Sequence, residues 1–225
     1  MNSVLASRAL AALVLVSVSL STAAAAEKIE LTDRNVQLYG AVTPEIIPKI
    51  VQRVLELDAE SHEPIWLLID SFGGAVDSGF ILIDTIRGLK SPVYCVVTSK
   101  AYSMGAIIAA FCKRRYILPH GTMMFHEASY GALGEDPSIR SRIDFNVKYL
   151  DRIHEELAKI LQMPLKEYRA RIRDAWWVLA DEAVKAHMVD AVVSEITYRK
   201  VENEVTEIKT TVSSKRQRVT KAAEK

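Results

Sequence analysis

The sequence predicts an α/β fold built around a largely parallel β-sheet. Two continuous apolar runs, I-W-L-L-I-D at 65–70 and S-P-V-Y-C-V-V-T at 91–98, have the character of strands buried on both faces. Apolar residues at helical spacing precede the first run and follow each of them. Because strands that alternate with helices build parallel sheets, this order of segments predicts the fold class.

The first half of the chain follows this alternation. V-Q-L-Y-G-A-V at 36–42 is a predicted strand, and a helix starts near Thr43 and Pro44. Its apolar face is formed by Ile47, Ile50, Val51, Val54 and Leu57. S-F-G-G-A-V is interpreted as the turn out of the 65–70 strand, and the next helix ends near Gly88. A third helix is predicted from Ser103 to about Cys112, followed by two short strands, R-Y-I-L-P and T-M-M-F.

A long helix is predicted in the second half. Asp136 and Pro137 are interpreted as its N-cap and first turn, and an apolar stripe runs from Ile139 to Ile160. About 25 helical residues would span about 37 Å. The helix either crosses the domain surface or protrudes, with its near-heptad stripe against another subunit. The pattern leaves both arrangements open.

The balance of basic and acidic side chains gives no support for binding a highly charged partner such as nucleic acid. Removing residues 1–26 takes away Arg8 and no acid, which leaves 28 basic against 28 acidic side chains. A neutral chain gives no basis for binding nucleic acid. The sequence also has no Cys/His cluster with metal-ligand spacing, because Ala158 replaces the second histidine of a motif that His154 and Glu155 begin. We therefore expect no metal and no other cofactor.

The N-terminus has the layout of a secretory signal peptide. One basic residue, Arg8, precedes an uncharged apolar run of 12 residues and then S-T-A-A-A-A-E. A membrane span needs about 20 apolar residues, so this run is short for an anchor. We predict a signal peptide at 1–26 and a periplasmic or secreted protein. The other predicted units are a domain at 27–198 and a charged C-terminal tail at 199–225.

The two cysteines, Cys95 and Cys112, both lie in apolar runs. Export would permit a disulfide between them, but an apolar context also suits free, buried cysteine. We favour unpaired burial.

A candidate nucleophile lies in K-A-Y-S-M-G-A, where a buried strand meets a helix. Ser103 could simply cap that helix, or it could be a nucleophile at the positive end of the helix dipole. A serine nucleophile needs a base, and His126 ends a strand at the same predicted sheet edge. His62, His120, His154 and His187 lie in less suitable positions.

An orienting acid and oxyanion donors are also required. Asp174 follows the K-E-Y-R-A-R-I-R helix, and Asp70 competes with it on position alone. Gly73 and Gly74 follow a buried strand and permit close backbone approach. Taken singly, each of these residues has an ordinary structural interpretation.

The combination resembles the proteolytic subunit of Clp-type serine peptidases. The matching stretches, in order, are I-W-L-L-I-D-S-F-G-G-A-V-D-S-G, A-Y-S-M-G-A, M-M-F-H, R-D and A-D-E-A-V-K-A-H-M-V-D. They cover about residues 35–196, with His126 at 23 residues after Ser103 and Asp174 at 48 after His126.

The resemblance implies a crotonase-like ββα spiral with a protruding handle helix. It implies that Ser103 is the nucleophile, His126 the general base and Asp174 the acid that orients it. Gly74 and Met104 would supply the oxyanion hole. The stretch Gly73, Ala75 and Val76 would bind an extended peptide by strand addition. It further implies homo-oligomeric stacked rings, typically heptameric.

Departures from the family pattern refine the expected function. Only about eight residues separate the predicted cleavage site from the first predicted strand, where cytosolic members carry a longer segment that engages an ATPase. Together with export, this argues against an ATPase partner and for an ATP-independent serine endopeptidase of short or unfolded peptides. Asp174 lies one residue farther from A-D-E-A than the pattern predicts, and Tyr102 replaces the usual alanine.

Three alternatives remain open. A protease of the signal-peptide-peptidase type would use a lysine base, for which Lys100 is the nearby candidate. An acyl-CoA enzyme would share the oxyanion site but needs no Ser–His–Asp set. A ring-forming scaffold would have an inactive site.

Overall fold

The computed structural model describes residues 26–129, 131 and 133–200. The predicted signal peptide except its last residue, and most of the predicted tail, lie outside these residues. The described strands are β1 (Ala26–Thr32), β2 (Asn35–Val42), β3 (Ile65–Gly74), β4 (Val93–Tyr102), β5 (Arg114–Ile117), β6 (Thr122–Phe125), β7 (Trp176–Leu179) and β8 (Ala191–Arg199). The described helices are α1 (Ile47–Glu60), α2 (Val76–Gly88), α3 (Met104–Ala110), α4 (Asp136–Ile160), α5 (Leu165–Ile172) and α6 (Ala180–Lys185).

The described strands form one sheet in the order β1-β8-β5-β4-β3-β2. All pairs along this path are parallel. β4 pairs with β5 over Tyr94–Val97 and then with β6 over Lys100–Tyr102, and β7 joins β6 in antiparallel orientation. The sheet therefore branches at the carboxyl end of β4, which is where Ser103 follows. The α/β class predicted from the sequence is confirmed.

Apolar clusters lie on both faces of the central strands, which explains their continuous apolar sequences. Ile65 and Leu67 of β3 belong to the large cluster that packs against the helices. Trp66 of β3 and Val96 of β4 belong to a smaller cluster on the other face, with Tyr116 of β5. Each of these side chains is buried, so both strands lack a polar face.

Helix α4 has the predicted length of 25 residues but packs along only part of it. Its buried residues, Ile153, His154, Leu157 and Ala158, all lie in the C-terminal third. Farther towards the N-terminus, Ile143 and Val147 of the apolar stripe are exposed. Phe145 is also exposed, but it lies off the stripe and stacks on Tyr149. The stripe therefore continues beyond the core of the chain.

Three element boundaries differ from the sequence-based expectations. The first strand is β1, which begins at Ala26, next to the predicted cleavage site, and pairs with β8 up to Arg199. Residues 27–34 are therefore largely strand. S-F-G-G was interpreted as a turn, but β3 continues through it because Ala41 and Val42 of β2 pair with Gly73 and Gly74.

The N-cap of α4 is Glu135 rather than Asp136. The backbone of Glu135 is extended, with φ −72° and ψ 146°, and Asp136 is already helical. The Ile139 amide donates to the Glu135 carbonyl at 3.0 Å, which closes the first turn.

Cys95 and Cys112 are both buried and free, which confirms unpaired burial. Each thiol donates to a carbonyl of α3, Cys95 to Ala109 and Cys112 to Ile108. No helix of the described residues has the length and apolar character needed to cross a membrane.

Candidate active site

Ser103 connects β4 to α3 in an unusual backbone conformation. Its φ is 54° and its ψ is −122°, a region that costs a non-glycine residue on the order of 1–3 kcal/mol. The Ser103 amide donates to the Met124 carbonyl of β6 at 2.8 Å, which holds the turn against the neighbouring strand. Ser103 occupies the N-cap of α3, yet its side chain makes no capping hydrogen bond. The hydroxyl is therefore available for another partner.

That partner is His126. The residue follows β6, and because β6 is parallel to β4, the carboxyl ends of the two strands lie side by side. His126 Nε2 lies 2.8 Å from Ser103 Oγ, within hydrogen-bonding distance. Both side chains are half-buried. The two residues nominated from strand-end positions are thus in contact.

The glycine pair allows β3 to pass close behind the serine. Gly73 has φ +91°, and a Cβ there would lie 2.7 Å from Ser103 Cβ and 2.6 Å from the Tyr102 carbonyl. Gly74 has φ +152°, and its Cβ would lie 2.3 Å from the Val42 carbonyl. A side chain at either position would force the backbone apart. These positions require glycine for both conformation and space.

Gly74 and Met104, whose amides are predicted to stabilise the oxyanion, line the same cavity as Ser103. Met104 is the first residue of α3, so its N–H has no acceptor within the helix. Gly74 contributes to the cavity beside Ser103, as do Met104 and Val76. Ala75 is the N-cap of α2 in extended conformation, with φ −64° and ψ 122°. Its amide donates to the Val42 carbonyl at 2.8 Å.

Asp174 is not in contact with His126. Its side chain is exposed and accepts hydrogen bonds from the Arg173 guanidinium, with the Nε–Oδ2 distance at 3.0 Å. These hydrogen bonds hold the pKa of the Asp174 carboxyl below its usual range. Asp174 is nevertheless close in sequence to a strand that pairs with the residue before His126. It is two residues before Trp176, which pairs with Phe125 next to His126.

Lys100, the alternative base, and Asp70, the alternative orienting acid, form an ion pair with each other. Lys100 Nζ lies 2.6 Å from Asp70 Oδ1. That hydrogen bond raises the pKa of the Lys100 amine. A general base must lose its proton readily, so a raised pKa disfavours Lys100 in that role. Asp70, in turn, is held by Lys100 and is poorly placed as the acid that orients His126.

A cavity of about 240 Å³ adjoins Ser103 and His126. Most of its lining is apolar and comes from α2, α3 and α4. His154 of α4 and Tyr168 of α5 also line it, and both are buried. Sequence reasoning missed these two residues as site components. The available signal was the position of His154 on the α4 stripe, between Ile153 and Leu157.

The half-exposed carboxylate of Glu127 approaches His154. Its Nε2 is 3.8 Å from Glu127 Oε2, beyond hydrogen-bonding distance. Burial lowers the pKa of His154, although Glu127 opposes that shift. Burial also raises the pKa of Tyr168 well above its ordinary value. Both side chains are therefore uncharged near neutral pH.

The described residues contain no cluster of three or more His, Cys, Asp or Glu side chains that could hold a metal ion.

A branched parallel sheet that carries a serine in hydrogen-bonding contact with a histidine defines an α/β protein with a serine–histidine site. The family model for Clp protease matches residues 22–196. The chain is also 31% identical over 175 residues to the ATP-dependent Clp protease proteolytic subunit 2 of Parasynechococcus marenigrum (strain WH8102). That alignment covers 76% of this chain and 89% of the relative. The chain therefore belongs to the Clp protease family.

Family membership confirms the resemblance stated from the motifs and the crotonase-like fold that it implied. It also supports a peptidase function. The roles of individual residues, including Asp174, stay predictions.

Proposed function

We propose that the protein is a serine endopeptidase that acts through Ser103, His126 and Asp174. The observation that carries the proposal is the 2.8 Å contact between Ser103 Oγ and His126 Nε2. A hydroxyl becomes an effective nucleophile when an adjacent base can accept its proton. The histidine is in that position without any rearrangement of the backbone.

The reaction proceeds in two halves. Ser103 Oγ attacks the scissile carbonyl carbon while His126 takes the hydroxyl proton. The oxyanion is stabilised by the Gly74 and Met104 amides, and the C–N bond breaks as His126 returns the proton to the leaving amine. Water then attacks the acyl-enzyme with His126 again as the base, which releases the carboxylic acid and restores Ser103.

Asp174 would orient His126 after a local change in its hydrogen bonding. Its carboxylate must leave Arg173 and accept a hydrogen bond from His126 Nδ1. The β6–β7 register supports this, because Asp174 lies just past the Phe125–Trp176 pair. Ala175, with φ 63°, lies between Asp174 and that pair and makes the connection a strained one. Catalytic contacts of this kind often tighten only when substrate binds.

The substrate would be an extended peptide laid along Gly73, Ala75 and Val76. β4 pairs with β3 up to Ser71, and no pairing between the described strands continues beyond that residue on this side. Backbone groups of the following segment can therefore pair with an added strand.

The protein would act without an ATPase, on short or already unfolded peptides. Residues 26–32 are paired with β8 as strand β1, so this segment is part of the sheet rather than a free extension. The proposed signal peptide would place the mature protein in the periplasm or outside the cell, where ATP is scarce. Cleavage near Ala26 would leave β1 almost whole.

Self-association into stacked rings would cover the exposed half of the α4 stripe. Ile143 and Val147, one turn apart on the stripe, are exposed at 39% and 49%. Contiguous exposed apolar side chains on one helix are typical of a contact with another chain.

The test is covalent labelling of the purified mature protein with a fluorophosphonate probe, without ATP or any ATPase. We expect mass spectrometry to place the label on Ser103, and Ser103→Ala and His126→Ala to lose both labelling and peptide hydrolysis. Full activity of His126→Ala would favour a lysine base instead. An unlabelled, correctly folded protein would favour the scaffold, and hydrolysis that requires a Clp ATPase and ATP would refute ATP independence.

A further inference from the structure

Two buried polar side chains lie close together in the mostly apolar lining of the cavity beside Ser103. We call this pair, His154 and Tyr168, the polar spot. Their rings are 5.7 Å apart and meet edge to face, and both line the cavity that Ser103 and His126 adjoin. His154 is 7% exposed and Tyr168 1% exposed.

The polar spot has hydrogen-bonding capacity that the protein does not use. Among the hydrogen bonds of the described residues, none involves a His154 ring nitrogen or the Tyr168 hydroxyl. The nearest charged group, Glu127, is 3.8 Å from His154 Nε2. The buried side-chain nitrogen and oxygen atoms of the described residues that lack a partner are Arg34 Nε and Arg169 Nε, so the polar atoms of the polar spot are not fully enclosed. A ligand in the cavity can therefore form hydrogen bonds with them in place of water.

The character of the partner follows from the surroundings. A neutral imidazole has one donor and one acceptor nitrogen, and a phenol can do both. The walls, which include Phe80, Ile107 and Leu157, are apolar and would strip water from a charged group. The polar spot therefore suits an uncharged tip that can both donate and accept.

We propose that His154 and Tyr168 determine specificity for the residue on the acyl side of the scissile bond, selecting a long side chain with an apolar stem and an uncharged hydrogen-bonding tip. Tyrosine and glutamine have this form, and phenylalanine and methionine are their counterparts without the tip. The volume of about 240 Å³ admits any of the four, so size alone does not select among them. The inference rests on the proposed function, because it needs Ser103 as the nucleophile.

The expected discrimination follows from the hydrogen bonds gained. A hydrogen bond between neutral groups that replaces one to water strengthens binding by roughly 2- to 13-fold. We expect about tenfold in kcat/KM for tyrosine over phenylalanine and for glutamine over methionine.

The test uses quenched fluorescent peptides that differ only at this position, with the full-length mature protein and three variants. Tyr168→Phe removes one hydroxyl, and His154→Phe keeps a ring but removes both nitrogens. Tyr116→Phe is the matched control, because Tyr116 is a buried tyrosine of the cluster on the opposite face of the sheet. Thermal denaturation of each variant verifies folding.

We expect the tyrosine-to-phenylalanine ratio to fall towards one in Tyr168→Phe and His154→Phe and to stay at the wild-type value in Tyr116→Phe. A wild-type enzyme that cleaves the tyrosine and phenylalanine peptides equally, or that prefers lysine or glutamate on the acyl side of the scissile bond, would overturn this inference. The proposed function would stand. A preference that persists in both variants would also overturn this inference, and Tyr168→Phe gives this answer even if His154→Phe does not fold. A protein that neither cleaves any peptide nor reacts with the probe would overturn the proposed function and this inference with it.

Discussion

Replacement of Gly73 by alanine tests how the glycine pair holds the site together. The new Cβ would lie 2.6 Å from the Tyr102 carbonyl, 2.7 Å from Ser103 Cβ and 2.9 Å from the Met104 amide nitrogen. Two of these atoms are backbone, which cannot rotate away. β3 and the Ser103 turn must therefore separate by several tenths of an ångström, which displaces the Gly74 and Met104 amides from each other.

The magnitude can be worked out from the role of those amides. Loss of one oxyanion donor costs about 100- to 1,000-fold in kcat, or roughly 2.7–4 kcal/mol of transition-state stabilisation. Gly73→Ala should therefore lower kcat/KM for a short peptide by about 100-fold or more. The φ of +91° should also lower the free energy of unfolding by about 1–3 kcal/mol.

Gly40→Ala is a control that separates these two effects. Gly40 has a similar φ of +81°, but a Cβ there meets nothing within 4 Å. It should lose comparable stability and keep its activity. Steady-state hydrolysis and denaturant unfolding of both variants give the two numbers. Equal loss of activity in the two variants, or a Gly73→Ala enzyme within about threefold of wild type, would refute an oxyanion site held by this contact.

Three further predictions concern the acid, the buried histidine and the long helix. Asp174→Asn should lower kcat by about 1,000-fold or more, because it removes the acid that orients His126. Arg173→Ala, which frees Asp174 from its ion pair, should not lower kcat. Equal kcat in wild type and Asp174→Asn would exclude a role for Asp174 in the triad. Burial lowers the pKa of His154 below 6.5, so the unfolded chain binds the proton more readily and stability should fall as the pH drops below 6.5. Urea midpoints at pH 7.5 and 5.5 should differ less in His154→Gln, and an unchanged difference would contradict this. Val147→Glu should lower the native mass measured by light scattering, because it places a charge on the exposed part of the α4 stripe. An unchanged mass would show that this part of α4 lies outside the contact.

The central strands of the fold could be predicted because their burial on both faces requires a continuous apolar sequence. β3 and β4 are covered on both faces, so their continuous apolar runs distinguish them from the outer strands. The outer strands have no continuous apolar run of this kind. β1 reads A-E-K-I-E-L-T, and its pairing with β8 is accompanied by ion pairs, such as Lys28–Glu195 and Arg199–Glu30. A charged segment of this kind also resembles a solvated tail, which is why the strand assignments stopped short at both ends.

The same distinction applies to the site. Ser103 and His126 could be nominated because parallel strands bring their carboxyl ends together, and that rule needs only the order of the elements. The polar spot depends on how α4 packs against α5, which places His154 against Tyr168 across 14 residues of chain. No periodicity predicts that contact. The Arg173–Asp174 pair could not be predicted either. It depends on the conformation of two adjacent side chains, in which Asp174 bonds to Arg173 rather than to His126.

The structure also explains why a serine at this junction need not be a helix cap. A capping serine has an extended backbone, and its side-chain oxygen accepts from an amide of the first helical turn. Ser103 has positive φ instead, which turns its side chain away from those amides and towards β6. The adjacent Met104 amide is thereby left without a side-chain acceptor, while Ser103 Oγ meets His126 Nε2 at 2.8 Å. One strained residue thus supplies both a paired hydroxyl and a free N–H, which are the two groups that acyl transfer requires in close proximity.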